Sequence, residues 1–183
     1  MATTAELLKK VHSLLEKLKY PEVIALLNDK ILDENKNADL YFSRAWAHYK
    51  LNEVKKSDKF RIKALKIDPN YAEKLNQNGV DWYNKGDYDK AIEEYDKAIL
   101  ADEFYVSAYY NKGLAFHYKG NYDQAINEYD SAIKLDKNYS SAYNNRGLAW
   151  YNKSDYDKAI SDFNKAIEFN QNHTIAHNNR GLA

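Results

Sequence analysis

Residues Tyr143–Ala166 read YNNRGLAWYNKSDYDKAISDFNKA, and residues Tyr109–Ala132 read YYNKGLAFHYKGNYDQAINEYDSA. The two stretches are near copies offset by 34 residues, and the same offset separates Gly79, Gly113, Gly147 and Gly181. Self-similarity at one fixed period is the mark of an array in which one supersecondary unit recurs and each copy buries its apolar face against the next. Within each copy, apolar residues recur at helical spacing on both sides of a short polar break, so the unit is a helix–turn–helix.

Working outward, full copies fall at 38–71, 72–105, 106–139 and 140–173, with a partial copy at 174–183. Each break carries a pair of turn residues: Asn52-Glu53, Gly86-Asp87, Gly120-Asn121 and Ser154-Asp155. Gly or Asn takes the left-handed conformation that ends a helix. The Asp or Asn beside it accepts from the N–H groups that open the next helix. Ser154 is the weak member of the series. Pro69 follows the second helix of its copy, where it stops the helix from continuing.

The first 37 residues lack the small residues of the later copies. Thr3 and Glu6 fit a capping box, and Leu7, Leu8, Val11, Leu14 and Leu15 mark an amphipathic helix to about Leu18. Pro21 suits the first turn of a second helix carrying Val23, Ile24, Leu26, Leu27 and Ile31. This pair, residues 1–37, reads as a divergent N-terminal cap, because an array's outermost face meets water instead of a neighbour. The fragment 174–183 ends in HNNRGLA, the counterpart of Tyr143–Ala149, and reads either as the opening helix of a further unit or as a short helix that caps the last full one.

Composition narrows the functional classes. Lys plus Arg and Asp plus Glu number 27 each, so there is no basic excess of the kind that neutralises phosphates, and no nucleic-acid partner is expected. With no cysteine, disulfides and thiolate metal sites are excluded. Lys9, Lys10 and His12 interrupt the N-terminal apolar stretch, so no signal peptide is expected. No apolar run reaches the roughly 20 residues that span a bilayer. The expectation is a cytoplasmic protein without membrane insertion.

The spacing and the residues it repeats resemble the tetratricopeptide repeat. Counting from Ala38, Ala72, Val106 and Ser140, position eight holds Ala45, Gly79, Gly113 and Gly147, and position eleven holds His48, Trp82, Phe116 and Trp150. Position twenty holds Ser57, Ala91, Ala125 and Ala159, and position twenty-seven holds Ala64, Ala98, Ala132 and Ala166. Position twenty-four holds Tyr95, Tyr129 and Phe163, but Arg61 in the first copy, where Phe60 stands one place early. Small residues let two helices approach and aromatics fill the space beside them. His48 and Arg61 predict looser packing in the 38–71 copy.

The resemblance implies an all-α, right-handed solenoid of antiparallel helix pairs whose first helices line a concave, ligand-holding face. It places positions two, five, six, nine, twelve and thirteen on that face. Position six reads Ser43, Gln77, Asn111, Asn145 and Asn179; position five adds Asn76, Tyr110, Asn144 and Asn178; position twelve adds Tyr49, Tyr83, His117 and Tyr151. The series resembles the asparagine ladder of superhelical repeats such as those of O-linked N-acetylglucosamine transferase. A carboxamide, with one acceptor and two donors, can pair with a peptide's backbone without reading its sequence. The family's carboxylate clamp needs cations that are missing here: position two holds Asp39, Glu73, Ser107 and Ser141, and position nine holds Trp46, Val80, Leu114 and Leu148.

No nucleotide-binding glycine loop, nucleophile elbow or paired-histidine protease motif is present. His173 and His177 are four apart but suggest no third ligand, and His177 falls on a packing position, so no metal or cofactor is expected. The sequence therefore reads as a non-enzymatic interaction scaffold that holds an extended peptide or a partner's helix. The alternatives are a homo-oligomer built through the solenoid ends and a regulatory domain of a longer enzyme.

Overall fold

The computed structural model describes residues 3–183. Among them run twelve helices and no strand: α1 Thr4–Glu16, α2 Tyr20–Leu26, α3 Asp29–Asn35, α4 Ala38–Lys50, α5 Val54–Ile67, α6 Tyr71–Asn84, α7 Tyr88–Ala101, α8 Val106–Tyr118, α9 Tyr122–Leu135, α10 Ser140–Asn152, α11 Tyr156–Phe169 and α12 Thr174–Leu182. The chain divides into two compact units between Ala72 and Glu73.

In the first unit, Thr3 makes the expected capping box: its hydroxyl accepts from the Glu6 amide, and its own amide donates to the Glu6 carboxylate at 2.7 Å. Helix α1 ends at Glu16, short of Leu18, which adopts a left-handed φ of 55° and is exposed. The second helix, expected to be continuous through Ile31, is broken into α2 and α3. The cause is Asn28. Its side chain accepts from the Ile31 amide at 3.1 Å, and an asparagine stabilises a helix start better than a helix interior. Helices α1, α2 and α4 pack together. Thr4 donates to Asn35, and Tyr41 donates to Asp33 at 3.0 Å, so the first 37 residues and the 38–71 copy share one core.

That copy is not loose. His48, Ser57, Phe60 and Ala64 are all buried, and the His48 ring lies parallel to Phe60 with centroids 5.5 Å apart. His48 Nδ1 also lies 2.6 Å from the Glu53 carboxylate. The Arg44 guanidinium covers Phe60 at 4.1 Å. Moving the aromatic one place early is thus answered by a histidine and an arginine that stack on it.

In the second unit the helix pairs are antiparallel, as the contact register shows. Arg146 reaches Asp162, Gly147 faces Phe163, and Lys158 covers Trp150 at 4.2 Å. A short turn joins each pair with one backbone pattern. In one turn Gly120 N–H donates to the His117 carbonyl and Asn121 N–H to the Phe116 carbonyl; in another Ser154 N–H donates to Tyr151 and Asp155 N–H to Trp150. This pair of bonds closes a helix around one left-handed residue. Asn52, Gly86, Gly120 and Ser154 all hold positive φ, from 59° to 78°. Asp87 and Asp155 cap the next helix through their carboxylates, whereas Glu53 and Asn121 make no side-chain cap. Those two helix starts rely on the backbone alone.

Charged side chains stitch successive copies. Lys112 sits between Asp96 and Glu128 at 2.8 and 2.7 Å, and Arg146 sits equivalently between Asp130 and Asp162. Burial by itself would lower the Lys112 pKa, but the two carboxylates outweigh it and raise the value. Lys119 and Lys153 pair with Asp89 and Asp123 across the same junctions, at the exposed edge.

Ser154 is an L-residue in a conformation that costs roughly 1–2 kcal/mol for a side chain with a Cβ. Ser154→Gly is expected to raise unfolding stability by up to about 1 kcal/mol, measured as a higher urea midpoint at unchanged slope.

Candidate functional site

The second unit's first helices, α6, α8, α10 and α12, each expose one stripe. On α8 it runs through Ser107, Tyr110, Asn111, Leu114, His117 and Tyr118, residues three or four apart and therefore on one helix face. The equivalent residues on α10 are Ser141, Asn144, Asn145, Leu148, Tyr151 and Asn152. Leu114 and Leu148 are half-buried at the centre of their stripes.

Hydrogen bonds run from stripe to stripe with one register. Asn111 Nδ2 donates to Asn76 Oδ1 at 3.0 Å, Asn145 Nδ2 to the Tyr110 hydroxyl at 2.8 Å, and Asn179 Nδ2 to Asn144 Oδ1 at 3.0 Å. Each bond links position six of one copy to position five of the copy before it. Asn152 lies 3.3 Å from His117 Nε2 in the same relation, position thirteen to twelve. The predicted site residues therefore separate into two groups. Asn76 and Asn144 are buried as acceptors of the ladder, which corrects their placement on an open face. Asn145 is also largely consumed, because its Oδ1 accepts from Asn144 at 3.1 Å.

Asn111 and Asn179 each spend one donor on the ladder and keep their carbonyl oxygens. Gln77 turns along its own helix to Asp81 at 3.1 Å, and Asn178 is exposed at the end of the series. The signal that could have separated the groups was present: carboxamide or hydroxyl groups recur at positions five and six, 35 residues apart, as Asn76–Asn111, Tyr110–Asn145 and Asn144–Asn179.

Aromatic side chains form the rest of the face. Tyr83 meets Tyr88 and Tyr118 edge-on at 5.5 and 5.7 Å, and Tyr151 meets Tyr156 at 5.4 Å. Tyr88 and Tyr156 thus pack at the turns. Tyr110 is wedged against Tyr129 and Tyr139 at 6.0 and 5.0 Å. Burial pushes the Tyr139 hydroxyl up to about 12, so these phenols stay neutral. His117 contacts Tyr118 and Tyr122, and burial holds its imidazole below the ordinary value of 6.5. Its Nδ1 is buried without a hydrogen-bond partner.

Neither lysine nor arginine stands on the α8 or α10 stripe. The cations of these helices, Lys112 and Arg146, are turned to the carboxylates between copies. The pair of histidines behaves locally: His173 Nδ1 caps α12 by accepting from the Ala176 amide, and His177, expected to pack, is exposed with Nε2 3.1 Å from the Gln171 carbonyl. No helix among the described residues is long and apolar enough to cross a membrane.

Comparison with known proteins agrees with this geometry. Two profiles described as "Tetratricopeptide repeat" match residues 38–71 and 140–173 respectively, and a third, described as "TPR repeat", matches 82–120 and 113–154. A curated relative, the "Hsp70-Hsp90 organizing protein" of Triticum aestivum, is 29% identical over 87 residues, which is 48% of this chain and 15% of that protein's length. Among solved structures, the second TPR domain of human RPAP3 in complex with the HSP70 peptide SGPTIEEVD is 26% identical with a TM-score of 0.59, covering 61% of this chain and 92% of its own. YrrB, a TPR protein with an unusual peptide-binding site, covers 98% of this chain and 93% of its own at 18% identity and a TM-score of 0.59, a likeness of fold. Repeat length, small-residue positions, helix-pair packing and matched profiles all agree, and the chain belongs to the tetratricopeptide repeat family.

Proposed function

We propose that the protein is a non-enzymatic interaction module whose first-helix face in residues 73–183 holds a peptide segment of a partner protein. The observation that carries this reading is the face itself: a continuous run of Tyr, Leu and Asn side chains, fixed from copy to copy by hydrogen bonds of one register. Tyrosine offers rigid contact area at low entropic cost, and the remaining carboxamide groups of Asn111, Asn178 and Asn179 can pair with an extended backbone. The relatives support a peptide ligand, since the human RPAP3 domain holds an HSP70 peptide. That peptide ends in EEVD and is acidic, whereas the α8 and α10 stripes here carry no cation, so the ligand of this face is a neutral or apolar segment.

Selection of a random peptide library against the full chain tests the reading. Winning peptides are expected to lack an acidic C-terminal motif and to lose at least tenfold in affinity for the double variant Leu114→Arg/Leu148→Arg, with the helical content of both proteins matched. Peptides that bind the variant equally well would place the binding surface elsewhere.

The face also sets a pH dependence. His117 is held neutral in the folded state, so the unfolded chain takes up its proton first as pH falls. The stability it contributes is fully present above about 6.5 and is lost as pH drops below that value towards the folded pKa. Urea melts between pH 7.5 and 5.5 are expected to show falling stability, with a shallower slope for His117→Gln.

A further inference from the structure

At the junction of α8 and α10 the hydrogen bonds of the exposed face are one-sided. Asn144 Oδ1 accepts from Asn179 at 3.0 Å, Asn145 Oδ1 accepts from Asn144 at 3.1 Å, and the Tyr110 hydroxyl accepts from Asn145 at 2.8 Å. Every side-chain oxygen of Tyr110, Asn144 and Asn145 therefore already receives a bond. The hydrogens are not all given. Asn145 Nδ2 carries two and spends one, and the Tyr110 hydroxyl, an acceptor here, keeps its own. A chain seated on this junction must bring oxygens and few N–H groups, because an amide N–H buried without an acceptor costs free energy. A carboxylate also brings oxygens, but no lysine or arginine stands on the α8 or α10 stripe to offset its charge. Proline answers both demands, with a neutral carbonyl and no N–H.

Shape selects the same ligand. Position twelve puts one half-buried ring on each copy, Tyr83, His117 and Tyr151, alongside half-buried Val80, Leu114 and Leu148 at position nine. Tyr118, Tyr122 and Tyr156 hold those three rings edge-on at 5.7, 5.2 and 5.4 Å, so the ring faces are set in advance. Successive first helices whose side chains bond directly lie about 8–10 Å apart. A polyproline II helix makes one turn in three residues, about 9 Å, so the same side of it meets each copy. A β-strand covering that step in about three residues turns opposite faces to successive copies, because its side chains alternate. We infer, on the reading that this face holds a peptide, that its ligand is a proline-rich segment in the polyproline II form. Prolines recurring every third residue pack on the rings of Tyr83, His117 and Tyr151, and carbonyls between them accept from Asn145 and Tyr110. Such a segment is already extended when free and loses little entropy on docking.

Acetyl-(Pro-Pro-Leu)3-amide is the probe, titrated into the full chain beside a counterpart with alanine in place of every proline. The proline peptide is expected to bind one-to-one and at least tenfold more tightly than the alanine peptide, a comparison that needs no protein variant. Its affinity is expected to fall at least tenfold for Leu114→Arg/Leu148→Arg and severalfold for Tyr151→Ala, with helical content matched. Equal affinity for the alanine peptide, or proline binding that survives the double variant, would overturn the inference. Failure of the proline peptide where library-selected peptides still bind the face would overturn it too, while leaving the peptide-holding reading in place. Failure of both kinds of peptide would remove that reading as well.

Discussion

Everything in the second unit depends on how closely two helices approach where a glycine faces an aromatic ring. Glycine within a helix costs roughly 0.5–1 kcal/mol relative to alanine. Burying a large aromatic against it returns about 1.5–3 kcal/mol, so the exchange favours the close pair wherever a ring is present. Tyr95, Tyr129 and Phe163 are each at most 1% exposed, and the alanines on either side of them are buried as well. Phe163 shows that the ring, not a hydroxyl, is what the notch requires; the Tyr129 hydroxyl is buried without a partner. The 38–71 copy reaches a different solution, with Ala45 for glycine and Phe60 clamped between His48 and Arg44.

Because the ring contact joins the two helices of a copy on one side of the first helix, its opposite stripe is left to face outward. The position-seven cations then lock successive copies from the side. Carboxamides at positions five and six do the same across the stripe. A surface built this way is pre-organised: Asn111 and Asn145 are held by neighbours before any ligand arrives. That lowers the ordering cost of binding. It also means that the asparagine ladder is spent first on the scaffold.

The period of 34 residues made the helix pairs, the turns and the ring-on-glycine contacts legible, since each signal occurs several times and accident does not repeat in register. Ser154 followed its glycine counterparts into the left-handed region although its own residue type argued against it, because the repeat fixed the turn. What was not legible were choices made by single side chains. Asn28 cut a helix that apolar periodicity carried through, and His48 was buried by stacking on a displaced phenylalanine. Which asparagine is spent is written in pairs of residues 35 apart, and residue type at one position alone does not contain it.

In α6, α8 and α10 the partner ring, and no other feature of the helix, requires glycine at position eight. Gly147 and Gly181 share that position, but only Gly147 faces a ring. Urea denaturation of Gly147→Ala and Gly181→Ala tests the claim directly. Gly147→Ala is expected to lose about 1–3 kcal/mol, from overpacking against Phe163. Gly181→Ala is expected to show no loss and a gain of up to about 1 kcal/mol from helix propensity. Equal losses at the two positions would contradict the claim.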